Sequence, residues 1–144
     1  MAKFLKYGRV VILLQGRFAG KKAVIVKSLE DGNKDRKFGF ALVARVERVP
    51  RRVTKRMGQK KIEKRTVIKP FVKYVNLNHI MPTRYSVKDL CDFKDLVKED
   101  KIKSGARKEV RDELKTQFQA RYRGLNPDEK NASHYKFFFS KLRF

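Results

Sequence analysis

Two short β-branched runs joined by a basic, glycine-spaced connection constrain this chain more than any other stretch. Residues 10–14 and 23–26 are too short for ordinary helices and are rich in Val and Ile, so both are predicted to be strands. Gly16 and Gly20 bracket the connection, and glycine accepts the positive φ that a tight turn demands. The connection carries three basic residues: Arg17, Lys21 and Lys22. The pattern predicts a small β-hairpin with a cationic tip.

Net charge indicates the class of partner. The 144 residues include 38 Lys and Arg against 15 Asp and Glu, a formal net charge of +23. Such an excess opposes compaction through self-repulsion, and a polyanion relieves it. We therefore expect nucleic acid as the partner, ahead of an anionic membrane surface. A surface charged only for solubility is a weaker explanation, because such surfaces usually mix both signs.

Length and cysteine content exclude several classes of protein. With 41% hydrophobic residues, the chain can bury a modest core as one domain with extensions or two very small domains. Cys91 is its single cysteine, which excludes an intramolecular disulfide and a cysteine-based zinc site. Residues 1–5 lack the apolar region of a signal peptide, and the run at 10–14 is far shorter than the roughly 20 residues of a membrane span. We expect an intracellular protein.

Further strand patterns predict a small barrel. Residues 38–46 form a third strand-like run, and residues 66–77 form another, which Pro70 confines to an edge, a bulge or two shorter strands. Between them lies a basic arm, residues 45–65, with ten Lys or Arg against Glu47 and Glu63. Closing four or five short strands into a barrel removes the exposed edges that so small a domain has no means to cover.

The chain is predicted to become helical beyond Pro82. Residues 86–89 resemble a capping box that opens a short helix, and residues 94–103 are interpreted as a connector. Apolar residues recur every fourth position over 106–122, which predicts a long helix ending near Gly124. Asn126-Pro127 is typical of a helix start. Apolar side chains alternate over 135–144 on both faces of an expected strand, which either folds back into the core or inserts into an assembly.

No motif in the sequence predicts catalysis. Gly16 to Lys22 contains Gly-x-x-x-Gly-Lys, but it is one residue short of a P-loop and a strand rather than a helix follows it. The histidines, His79 and His134, stand in no metal-ligand pattern, and no nucleophile elbow or dinucleotide turn is present. We therefore expect no enzyme activity, no metal and no cofactor.

The hairpin matches a known motif. Gly8, the strand at 10–14, Gly16 and residues 20–26 resemble the KOW motif of ribosomal proteins and transcription-elongation factors. Further segments then follow in the order of one family, the KOW-bearing proteins L twenty-seven of the eukaryotic large ribosomal subunit. These segments are residues 41–44, 50–54, 57–62, 64–65, 78–87 and 138–144. The resemblance spans nearly the whole chain.

The resemblance implies a mainly β fold with an α extension. An SH3-like KOW barrel would occupy residues 1–85, with the basic arm at 45–65, and a helical extension and tail would occupy residues 86–144. It also implies a structural protein that binds large-subunit rRNA beside neighbouring ribosomal proteins, in the cytoplasmic ribosome after nuclear or nucleolar passage. One alternative is the KOW module of a transcription-elongation factor, although such modules follow a separate α/β domain. A second is a binder of acidic proteins or membrane surfaces.

The candidate rRNA-binding residues are mostly basic, because Lys and Arg contact phosphates and thereby position a protein without reading bases. They are Arg9, Arg17, Lys21, Lys22, Arg45, Arg48, Arg51, Arg52, Lys55, Arg56, Lys60, Lys61, Lys64, Arg65, His79, Arg84, Arg107, Arg111, Lys115, Lys141 and Arg143. Residues 60–61 and 64–65 also resemble a nuclear-import signal. Tyr74 and Tyr85 either stack on unpaired bases or fill the barrel wall. Arg107, Arg111 and Lys115 face either RNA or helical acids.

Overall fold

The computed structural model describes residues 4–90, 92, 93, 97 and 105–143, in which five antiparallel strands form one sheet. The strands are β1 (Arg9–Leu13), β2 (Lys22–Leu29), β3 (Phe40–Arg48), β4 (Lys69–Asn76) and β5 (Ile80–Ser86). The helices are α1 (Gln59–Arg65), α2 (Arg107–Arg123) and α3 (Ala132–Phe139), with 3₁₀ turns at Leu77–His79 and Lys88–Leu90. The predicted connector at 94–103 lies outside the described residues except for Val97, which is buried.

The sheet is strongly bent. Its strand order is β4-β3-β2-β1-β5, so the two edge strands are consecutive in the chain and only Leu77–His79 separates them. Four Cα steps from Asn76 to Ile80 span at most about 15 Å, whereas the edges of a flat five-stranded sheet lie about 19 Å apart. The sheet must therefore curl at this end. Among the described strands β4 and β5 do not pair, so hydrogen bonds do not close the curl into a barrel.

Each face of the sheet has its own core. Val11, Ile25, Val43 and Phe71 belong to a cluster whose buried members all come from the five strands. The alternate strand residues form the second cluster together with helical side chains of α2 and α3. Because the buried members of the first cluster come from all five strands, the sheet bends around this cluster, and this face is the concave one. The helices cover the convex face.

Helix α2 confirms the fourfold apolar spacing, and its end is also where the sequence predicts it. Val110, Leu114 and Phe118 are buried, and the helix ends at Arg123 before Gly124. Among the described helices none is long and apolar enough to cross a membrane.

The last segment folds differently from the prediction. The expected strand at 135–144 is wrong, because Ala132–Phe139 is a helix that buries Ala132, Tyr135 and Phe138 on one face. The helix-start pattern at Asn126-Pro127 does not open a helix either. Those residues lie in the turn between α2 and α3.

The region around Pro82 is also corrected. Instead of becoming helical, the chain continues as edge strand β5, in which Pro82 pairs with Val11. The capping box is followed by a short 3₁₀ helix, Lys88–Leu90, and the Ser86 hydroxyl donates to the Gly8 carbonyl at 3.3 Å. The expectation for Pro70 is confirmed. It lies in edge strand β4, where the register against β3 shifts between Val46 and Arg48.

Candidate nucleic-acid interface

The tip of the β1–β2 hairpin presents two of the candidate residues to solvent. The Gly20 N–H donates to the Leu13 carbonyl at 2.7 Å, and Gly16 and Gly20 have φ of 88° and 72°. The left-handed backbone that the sequence predicts at both glycines is therefore present. Arg17 and Lys21 are exposed on this ordered turn.

Lys22 lies inside the protein, although it was grouped with the tip. It is 6% exposed, and its ammonium donates to the Phe137 carbonyl and to the carbonyl and hydroxyl of Ser140, at 3.0 and 2.9 Å for the latter two. Burial lowers the pKa of the ammonium to about 8. Lys22 thus binds the carbonyls at the end of α3, where positive charge is favoured, and is engaged within the fold.

Arg45 is buried completely, in the core of the concave face. Its guanidinium carbon lies 4.5 Å from the centre of the Phe18 ring and 4.9 Å from that of Phe71, and the two rings stack at 4.1 Å. One guanidinium N–H donates to the Phe18 carbonyl at 3.4 Å, while Nε and Nη2 have no partner. Burial lowers the pKa of Arg45 to about 10. As the chain is folded, neither Arg45 nor Lys22 faces a phosphate.

The basic arm is an ordered excursion rather than a loose tail. The Arg51 N–H donates to the Arg65 carbonyl at 2.8 Å, and Arg65 Nε donates to the Arg52 carbonyl at 2.9 Å, so the two ends of the arm are tied together. Helix α1 within the arm buries no residue. The exposed candidates of the arm are Arg48, Arg51, Arg52, Lys55, Arg56, Lys60, Lys61 and Lys64. Arg65 is half-buried and contributes to holding the arm closed.

Two of the candidate rRNA-binding residues, Arg9 and Arg84, contact other residues of the protein at strand β5. Arg9 Nη1 donates to the Arg84 carbonyl at 3.3 Å. Arg84 is exposed and lies 5.1 Å from the Tyr85 ring, whose face stacks on Phe137 at 4.0 Å. One face of the Tyr85 ring is therefore packed in the wall of the fold.

Tyr74 and His79 lie beside the β1–β2 hairpin tip, with Gln15 and Gly16. Tyr74 meets the Phe40 ring edge-on at 5.6 Å, and Arg36 lies 4.6 Å from its ring. Half-buried His79 and Tyr74 both line a depression of about 310 Å³. Of the two alternatives for Tyr74, stacking on an unpaired base or filling the wall of the fold, its packing against Phe40 agrees with the second.

The basic face of α2 lies against strand β4. Arg107 and Arg111 line a cleft of about 640 Å³ together with Arg17 of the hairpin. Arg111 and Lys115 line an adjoining cleft of about 380 Å³ together with Arg48. The two clefts therefore bring together candidates from the hairpin, the end of β3 and α2.

Three basic residues of these clefts were missed by sequence reasoning: Lys69, Lys73 and Lys108. Lys69 and Lys73 alternate with Phe71 along β4, a period-two pattern that marks one strand face. The sequence shows this pattern, but it does not show that the basic residues of α2 lie across a cleft from these two lysines. The remaining candidates, Lys141 and Arg143, are exposed beyond the end of α3.

Comparison with known proteins gives one consistent result. The family model for the Ribosomal L27e protein family matches residues 10–144. The chain is also 79% identical over 144 residues to the large ribosomal subunit protein eL27 of Tetrahymena thermophila, with both chains covered completely. Agreement over the full length includes the hairpin, the arm, the α2 helix and the tail. The chain belongs to the Ribosomal L27e protein family.

Proposed function

We propose that this protein fastens rRNA segments together within the large ribosomal subunit by binding their phosphates from several of its elements at once. Membership of its family makes it a structural constituent of that subunit and not an enzyme. The observation that carries the proposal is the distribution of exposed cations. They lie on the hairpin tip, the arm, α2 and the tail, which are separate elements of one fold.

The mechanism is electrostatic. Each Lys or Arg that neutralises a phosphate releases a condensed counterion, so affinity falls as salt rises. Arg also binds phosphate oxygens through two parallel N–H groups, which fixes its orientation. Because these contacts do not read bases, the rRNA sequence enters only through its fold. Contacts from separate elements then hold separate segments in a fixed arrangement.

We also propose that the sheet is an SH3-like KOW barrel, spanning about residues 1–85, with residues 86–144 as its helical extension. Three features support this. β1 lies between β2 and β5, the edge strands are joined by a 3₁₀ turn, and the concave face packs strand against strand. Helices α2 and α3 share the convex core with the sheet, so the extension is packed on the barrel.

The partners proposed are large-subunit rRNA and neighbouring ribosomal proteins, in cytoplasmic ribosomes. Passage through the nucleus and nucleolus during assembly is part of the proposal. The candidate import signal consists of the exposed residues Lys60, Lys61 and Lys64 and half-buried Arg65, all on α1. A fluorescent protein fused to residues 45–65 tests the import signal. The fusion should accumulate in the nucleus, and this accumulation should be lost when the three lysines are replaced by Gln.

The rRNA-binding proposal is tested by salt dependence and by sedimentation. A protein with six to ten phosphate contacts loses about 10³- to 10⁵-fold in affinity between 50 and 200 mM salt, and we expect the free protein on large-subunit rRNA fragments to lie in this range. In cell extracts it should cosediment with large subunits until RNase is added. Binding that hardly changes with salt contradicts the electrostatic mechanism. Sedimentation confined to polymerase fractions favours a transcription-elongation module instead.

A further inference from the structure

We propose that the adjoining clefts between strand β4 and helix α2 together bind one single-stranded segment of RNA, held by cations from both walls. This rests on the proposed function and adds a defined site and a defined form of RNA to it. The two clefts adjoin at Lys69 and Arg111, which line both of them, and we take them together as one groove. We call it the β4–α2 groove.

Cations line both walls of the β4–α2 groove. Lys69 and Lys73 come from β4, which is an edge strand and, among the described strands, pairs only with β3. Arg107 and Arg111 come from the opposite wall, on adjacent turns of α2. Arg17 of the hairpin adds a third source of positive charge at the larger cleft. Lys115 of α2 adds positive charge at the smaller one. A backbone lying in the groove therefore passes between positive side chains on two sides.

The groove also has an aromatic surface. Half-buried Phe18 and buried Phe71 line its larger part, together with Val72 and Val110. Grooves that bind single strands combine positive walls that follow the backbone with aromatic side chains that contact bases. A duplex keeps the faces of its bases stacked inside and presents phosphates, sugars and base edges. The aromatic and apolar surface of this groove therefore favours an unpaired segment.

The rings of the groove are fixed before any ligand arrives. Phe18 stacks on Phe71, and buried Arg45 lies beside both rings and donates to the Phe18 carbonyl. Arg17, adjacent in the chain, lies 4.8 Å from the Phe18 ring. Preorganisation of this kind lowers the ordering cost of binding.

Two carboxylates of the groove lining oppose an anionic ligand, Glu47 in the larger cleft and Asp112 in the smaller one. Glu47 lines the larger cleft and pairs with Lys69 at 3.2 Å, with a third of its side chain exposed. An RNA phosphate must compete with this pair for Lys69. Replacing Glu47 by Gln removes the competitor and keeps the size of the side chain, so it should strengthen binding of RNA in the groove.

The test compares two double variants of the full-length protein that lose the same charge. Lys73→Gln/Arg111→Gln removes one exposed cation from each wall, and Lys34→Gln/Lys37→Gln removes two exposed cations from the β2–β3 connection, outside the groove lining. The probes are a labelled single-stranded RNA of about eight nucleotides and an RNA hairpin stem with as many phosphates. Fluorescence anisotropy gives affinities over a range of salt, and urea unfolding checks that both variants are folded.

For the single strand we expect the groove variant to lose about tenfold or more in affinity, as two lost charge-assisted contacts would give. Its salt slope should fall by about 1.4, since each phosphate contact to a single strand contributes about 0.7. The β2–β3 variant should lose clearly less, and the stem should discriminate less between the two variants. Glu47→Gln should gain about two- to fivefold, the size of one exposed charge interaction, while Asp31→Asn in the β2–β3 connection should gain nothing.

Equal losses of affinity in the two double variants would contradict the proposed groove site. A groove variant that loses more affinity for the stem than for the single strand would contradict it as well. Tighter binding of a polyglutamate peptide than of either RNA would also overturn it and assign the groove to an acidic protein. These results leave the proposed function intact, provided that wild-type protein still binds rRNA fragments in a salt-dependent way. Loss of that salt dependence would instead contradict the proposed function.

Discussion

Arg45 holds its guanidinium against the stacked rings of Phe18 and Phe71, with two nitrogen atoms that have no hydrogen-bond partner. A buried charge without full pairing is costly, and the aromatic rings offset only part of that cost. The side chain also fills space between the sheet and the β1–β2 connection. Its volume and its charge therefore have opposite effects on stability.

Substitutions at Arg45 separate these two effects. Arg45→Met keeps most of the volume and removes the buried charge, so the free energy of unfolding should change by less than about 1 kcal/mol. Arg45→Ala leaves a cavity in the concave core and should cost about 2–4 kcal/mol. Urea unfolding monitored by circular dichroism gives both values. An Arg45→Met loss as large as that of Arg45→Ala would show that the charge itself holds Phe18 in place.

Lys22 should make stability depend on pH. Burial lowers the pKa of its ammonium in the folded state to about 8 from an ordinary value of 10.5. Between these two pH values the unfolded chain binds more protons at Lys22 than the folded one, so this side chain raises the free energy of unfolding as pH rises. The contribution is complete above 10.5 and absent below 8.

The measurement is urea unfolding of wild type and Lys22→Met at pH values on either side of this window. Because other lysines also begin to titrate there, the informative quantity is the difference between the two proteins. It should shift in favour of wild type as pH rises. A shift in the opposite direction would mean that the bonds from charged Lys22 to Phe137 and Ser140 outweigh its burial.

Among the helices, α2 couples the other elements of the convex core. Phe118 is fully buried, and its ring meets those of Phe93, Phe138 and Phe139 edge-on, with centroids 6.0, 5.8 and 6.2 Å away. These rings belong to α3 and to the segment after β5. Arg121 adds an ion pair from α2 to Glu129 in the turn before α3. Packing of α3 therefore depends on α2.

Phe118→Ala should destabilise the whole protein by about 3–5 kcal/mol, because it removes a large side chain from a filled core. Near-ultraviolet circular dichroism should weaken as well, since the surrounding rings lose their fixed packing. Thr116→Ala on the exposed side of α2 is the control and should change stability by less than about 0.5 kcal/mol. If Phe118→Ala lost only its α3 signal while the sheet unfolded as in wild type, α3 would be a separate unit.

The sequence predicts elements best where one periodicity excludes the other. Val110, Leu114 and Phe118 fit a helix and no strand, and α2 is found there. The consecutive aromatic residues at 137–139 fit the period of a strand as well as that of a helix, so the sequence pattern does not distinguish the two. The segment is a helix because its side chains pack on β5 and α2. Pro82 suggested the end of the sheet, but in edge strand β5 a missing N–H costs little.

The sequence also predicts only part of the candidate site, because it does not show which basic residues are exposed. In the basic arm, eight of the ten cations are exposed, because so many cations with two acids have few ways to be buried; Arg45 and Arg65 are the exceptions. Single cations within apolar strands are different. Lys22 and Arg45 stand in β2 and β3, where the strand face and not the residue type decides exposure. Lys69 and Lys73 were missed because the opposite wall of their groove comes from α2, which is distant in sequence.

At the scale of the molecule, a net charge of +23 acts on the free protein and on its complex in opposite directions. Without RNA the cations of the hairpin, arm, α2 and tail repel one another, and added salt screens that repulsion. In the complex the same cations bind phosphates, and added salt weakens those contacts. One set of charges thus destabilises the free fold and stabilises the bound one.

We therefore expect the melting temperature of the free protein to rise as salt increases from about 0.01 to 0.1 M, over which the Debye length falls from about 30 to about 10 Å. A rise of several degrees corresponds to about 1 kcal/mol for a chain of this size. Replacing Lys60, Lys61 and Lys64 of α1 by Gln removes three exposed cations and should reduce the rise without lowering the initial stability. Differential scanning calorimetry in chloride measures both. A melting temperature that falls with salt, in either protein, would mean that ion pairs such as Lys69–Glu47 outweigh the repulsion and that the free fold does not depend on RNA to neutralise it.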